Sequence, residues 1–215
     1  MPAAETIRPR LRGRIHQVAF FFAVPAGVVL VVLARGTVAT TVAAIYTASL
    51  VAVFGASAAY HRGAWSPTAR RRMKRLDHSM IYVLIAGSYT PVAVLALHGP
   101  WQVVVLALVW TGAAVGVALK LVAPGDLRVV SATLYMVLGW LALIALPQIV
   151  RGLSRPDVVL MISGGLLYTA GAIVFATRRP DPRPLVFGYH EIWHAFMVVA
   201  AACHFAMIAL VVARA

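Results

Sequence analysis

The chain has 215 residues, 62% of them hydrophobic and 12% charged, with a formal net charge of +13. A soluble domain is about 45–50% apolar and about 25% charged, so this composition excludes a disordered chain and fits a soluble enzyme poorly. The positive charge would suggest nucleic acid in a soluble protein; here it is distributed among the loops between long apolar runs, and no nucleic-acid partner is expected.

The first 15 residues form a basic segment with Arg8, Arg10, Arg12 and Arg14. The apolar run behind it, Val18 to Ala34, is longer than the hydrophobic part of a secretory signal and reads as a span that stays. Seven apolar runs follow one another at 16–34, 38–60, 78–98, 101–122, 129–150, 158–177 and 190–212. Each is close to the roughly 20 residues that cross a bilayer. They are continuous, not alternating as in a membrane β-barrel. The expected fold is therefore all-α: a seven-helix transmembrane bundle over 16–215 behind the segment 1–15. Short turns separate the runs at Arg35-Gly36-Thr37, His98-Gly99-Pro100, Pro124-Gly125-Asp126 and Ser154 to Asp157, and the longest basic loop runs from Arg62 to Asp77.

With seven spans, 15 of the 19 Lys and Arg residues fall on the side of the N-terminus and 4 on the other. The positive-inside rule then predicts a cytoplasmic N-terminus, with a secondary attraction to anionic lipids of that leaflet. The single cysteine, Cys203, lies in the last apolar run and reads as a packed small residue; an intramolecular disulfide is excluded. Gly112 and Gly116, four apart, allow close helix packing, and Pro91 predicts a kink in the third span, with Ser88 and Thr90 near the freed carbonyls.

Ionisable residues within membrane helices are functional candidates by default. Asp126, Asp157 and Asp181 read as solvated turn residues. The histidines are more informative. His61 ends span two, Asp77 and His78 begin span three, and His190 and His194 begin span seven. Span order brings these ends to one membrane depth. His190 and His194 are one helical turn apart on one face, so with His61 they can bind one Zn²⁺ and leave a position for water. Asp77 could orient or deprotonate that water, and Ser57, one turn before His61, could hydrogen-bond the water or a substrate carbonyl. His190-Glu191-x-x-His194 also fits the H-E-x-x-H pattern of zinc proteases, with Glu191 as general base. His204, about 15 Å further along the helix, cannot share the site. His16 and His98 read as interfacial.

Ser57-x-x-x-His61, Leu76-Asp77-His78, Ile85 to Pro91, and Gly188 to His194 followed by His204-Phe205 together resemble the haemolysin III family, bacterial relatives of the progestin and adipoQ receptors. The resemblance covers nearly the whole chain. It implies seven helices with a cytoplasmic N-terminus, zinc held by His61, His190 and His194, Asp77 in contact with the water on the zinc, and Ser57 lining the site. The wider superfamily includes ceramide-cleaving enzymes, which implies hydrolysis of lipid amide or ester bonds in a bacterial cell membrane, with membrane lipids as partners and a role in lipid homeostasis. Cell lysis attributed to some members, and a lipid sensor with structural zinc, are the alternatives it carries. Receptor members have larger extramembrane regions than the short outer loops here, so no protein hormone is expected as a partner.

Overall fold

The computed structural model describes residues 9–122 and 128–215; Glu5 and Asp126 lie outside them. The described residues are helical, with no strand beyond an isolated bridge between Arg183 and Phe187. The helices are α1 (Arg14–Leu33), α2 (Gly36–Arg62), α3 (Pro67–Ala96), α4 (Pro100–Val122), α5 (Arg128–Gly139), α6 (Leu146–Gly152), α7 (Arg155–Thr177) and α8 (Tyr189–Arg214), with a 3₁₀ segment Leu141–Ala145 between α5 and α6. Seven stretches are long and apolar enough to span a bilayer, α5 to α6 counting as one. α8 packs along α7 and also meets α1, α2 and α3. α2, α3 and α8 bury the most of their length and α7 the least, so the core lies where α2, α3 and α8 converge.

Two elements differ from the sequence expectation. The basic stretch 62–77 is not a loop: α3 starts at Pro67, with Ser66 as N-cap accepting from the Ala69 N–H at 3.3 Å. Pro in the first turn needs no N–H partner, and basic residues outside the hydrocarbon need no apolar face. At 30 residues α3 is about 45 Å long, against a hydrocarbon core of about 30 Å. Its first turns, with Arg70 to Arg72, Lys74 and Arg75, thus extend the helix past the apolar layer. The second difference is span five, which breaks after Gly139 and resumes at Leu146, with Pro147 in the first turn of α6. Tyr89 of α3 repairs the break. Its hydroxyl donates to the Gly139 carbonyl at 2.9 Å and accepts from the Ala142 N–H at 2.8 Å.

α3 continues through Pro91, and the Thr90 hydroxyl bonds to the Ala86 carbonyl at 2.8 Å and accepts from Trp110 Nε1 at 3.1 Å. Gly112 and Gly116 of α4 admit the Leu138 side chain and the Tyr82 ring, where a Cβ would sit within about 2.5 Å of either. Asp157 is not a solvated turn residue. It is fully buried at the start of α7, accepts from Ser154 N–H and Oγ at 2.9 and 2.6 Å, and pairs with Arg214 at the end of α8. A carboxylate removed from water needs such partners.

Tyr89→Phe keeps the ring and strips two backbone groups of their partner. An unsatisfied buried group costs about 1–3 kcal/mol, so this variant should unfold at lower temperature in detergent, followed by circular dichroism. An unchanged midpoint would contradict the stitching role.

Candidate metal centre

α2 ends and α8 begins at the same end of the bundle, the end that carries the basic segments. His61 sits in the last turn of α2, and His190 and His194 occupy the first two turns of α8. One ring nitrogen from each lies within 4.8 Å of the other two. Two imidazole nitrogens that each sit about 2.0–2.1 Å from one tetrahedral zinc are about 3.3–3.4 Å apart; His190 Nε2 and His61 Nε2 are 3.4 Å apart. His61 and His194 are buried and His190 is half-buried. The donor set can therefore hold a metal ion, and imidazole suits zinc, copper, iron and nickel. Among the described residues the converging ligands number three, not the four of a closed structural site.

Asp77 stands outside that triad but within electrostatic reach of His61 and His16. Its Oδ2 lies 3.3 Å from Nδ1 of the adjacent His78. Ser57 is buried one turn before His61, and its hydroxyl is 2.8 Å from His16 Nδ1.

His16 departs from the interfacial reading. It is 2% exposed, and its ring stacks on His194 with centroids 3.8 Å apart and planes 9° from parallel. It also meets Phe54, tilted, with centroids 5.2 Å apart. Nothing in the local sequence of α1 marks this: the basic residues around it suggest a water-facing end, and only packing against α2 and α8 turns the ring inward. His98 is exposed, and His204 is held by the Met161 carbonyl at 3.2 Å, away from the cluster.

Glu191 lies between the two α8 histidines in sequence and is 1% exposed. One carboxylate oxygen accepts from the Gly188 N–H at 2.9 Å, capping α8, and the other pairs with Arg12 Nε at 2.5 Å. Both oxygens are thus committed to holding structure. Asp181 is exposed, as expected of a turn residue, and also accepts from the Tyr189 N–H at 3.0 Å, capping the same turn. A cavity of about 590 Å³ opens between α1, α2 and α8, with Phe22, Leu50, Phe54, Val198 and Phe205 on its walls and Arg14 at one end. Phe54 both lines it and packs on His16.

The family model described as "Haemolysin-III related" matches residues 5–205. The chain belongs to the haemolysin III-related family. Among its relatives, Hemolysin-3 of Bacillus cereus is 32% identical over 193 residues, 88% of this chain and 85% of that protein. The Hemolysin-3 homolog of Bacillus subtilis (strain 168) is 30% identical over 204 residues, 93% of this chain and 92% of the other. A more distant human relative, the monocyte to macrophage differentiation factor, is 28% identical over 166 residues, 75% of this chain and 66% of that protein. Family and helices together make the chain a multi-pass membrane protein.

In this haemolysin III relative the stacked His16 ring packs against His194 of the three-histidine cluster. His16→Ala should lower stability by about 3 kcal/mol, as for other large-to-small core changes. His16→Phe, which keeps a ring over His194, should lose less. Thermal unfolding of both variants in one detergent checks this; equal losses would contradict support by the stack.

Proposed function

We propose that the protein is a zinc-dependent hydrolase of lipid amide or ester bonds in the bacterial plasma membrane, with its site toward the cytoplasmic face. The observation that carries this reading is the three-histidine cluster, whose 3.4 Å nitrogen spacing suits tetrahedral zinc and whose ligand count leaves a position for chemistry. His61, His190 and His194 hold the ion. A bound zinc supplies Lewis-acid polarisation of a carbonyl and makes water a stronger acid.

The chain's own groups do the rest. Asp77 takes a proton from the attacking water at a carboxylate oxygen and returns it to the leaving amine or alkoxide as the lipid bond breaks, with His78 Nδ1 3.3 Å from that carboxylate. Ser57 offers a hydroxyl at the same depth, steadied by His16. The apolar groove beside His16 receives an acyl chain laterally, within the about 300–1,000 Å³ usual for ligand sites. The cytoplasmic placement follows from the loop charges. A role in membrane-lipid homeostasis is consistent with a site open to lipid.

The intramembrane protease reading fares less well, because Glu191, its required base, is engaged by Arg12 and by the Gly188 N–H. A purely structural zinc in a lipid sensor would be favoured by a fourth protein ligand.

The test is lipid turnover by protein reconstituted in phospholipid and ceramide vesicles, with released fatty acid measured by mass spectrometry. Asp77→Asn should reduce the rate by about 10²–10⁴-fold, the usual contribution of a general base, while the protein stays folded and keeps its metal. Turnover equal to wild type would overturn the role of Asp77, and no turnover by wild type of any vesicle lipid would favour the sensor.

A further inference from the structure

The residues before α1 are tied to both helices that carry the histidine ligands. Arg10 N–H donates to the Leu185 carbonyl at 3.0 Å and Leu11 N–H to the Val186 carbonyl at 3.2 Å, so this segment runs beside the stretch that leads into α8. Arg12 then reaches Glu191 in the first turn of α8, at 2.5 Å and almost wholly out of solvent on the glutamate side. Gly13 follows in the left-handed region, φ +77°, and a Cβ there would lie 2.5 Å from the Cβ of His61. A glycine is needed on both counts. Two successive residues thus touch the two sides of the metal centre: one beside His190 and His194, the other on His61.

A buried carboxylate without a counter-charge is strongly unfavourable. Glu191 cannot leave its position to find another, because its second oxygen caps α8 through Gly188. Glu191 therefore fixes the turn on which His190 sits, and Arg12 fixes Glu191. We propose that Arg12 is a positioning residue of the metal centre: its ion pair with Glu191, together with Gly13 packed on His61, sets the spacing between the α2 ligand and the two α8 ligands. The inference rests on the reading of the three histidines as a metal site. It assigns a residue that contributes no ligand and comes from a segment that loop charges alone would mark only as topology.

The experiment is zinc affinity by chelator competition on the full-length protein in detergent, with the optical spectrum of the cobalt-loaded protein as a second readout. Arg12→Met should weaken zinc binding measurably, by up to the about 10–100-fold lost when a direct partner of a ligand is removed, and should change the cobalt spectrum. Arg12→Lys, which keeps the charge, should recover most of the affinity. If Arg12→Met does not fold, Glu191→Gln carries the same test: the amide can still cap Gly188 but no longer pairs with Arg12, and the same weakening is expected. Folded variants with wild-type affinity and spectrum overturn the proposal, even if their melting temperature falls. A wild type that binds neither metal overturns the metal site itself, and the proposal with it.

Discussion

Hydrocarbon offers no hydrogen-bond partner, so a polar group carried into this bundle is stabilised by meeting another one supplied by the chain. Apolar helix surfaces gain little from meeting each other in lipid except through close packing, as at Gly112 and Gly116; the polar pairs add direction. Tyr89 closes the broken fifth span, Trp110 meets Thr90, Trp140 meets Thr169 at 3.1 Å, and Asp157 meets Arg214. Each joins two different spans. The position of α8 against α1, α2 and α7 depends on such pairs at both of its ends.

The same constraint shapes the candidate metal centre. Histidines in the first turns of α8 are tolerable at that depth because others face them: His61 edge-on and His16 in parallel stack. The turn itself is doubly capped, by Asp181 on the Tyr189 N–H and by Glu191 on that of Gly188. What distinguishes the cluster from mere mutual satisfaction is its spacing. Two Nε2 atoms 3.4 Å apart, with a third imidazole beside them, have the spacing that a shared tetrahedral cation requires.

Much of this was legible in the sequence, for reasons that can be named. Continuous apolar runs give seven spans because a bilayer has one thickness, and the i, i+4 histidines share a face because a helix has one pitch. Their meeting with His61 follows from span order. The rest depended on partners remote in sequence. His16 looked interfacial because its neighbours are basic; Asp157 looked solvated because it follows a proline in a turn; Glu191 matched a catalytic pattern because pattern matching does not see Arg12, 179 residues away. The helical start of α3 was hidden by its charge, although Ser66-Pro67 is a recognisable start signal.

Everything proposed for the site turns on whether His61, His190 and His194 hold one metal ion. The most direct measurement is the metal content, by mass spectrometry, of protein purified in detergent without chelator or added metal, wild type beside His190→Ala/His194→Ala. The account predicts close to one zinc per chain in the wild type and its loss in the variant. Folded wild type that carries no metal and takes up none when zinc is titrated in would contradict it.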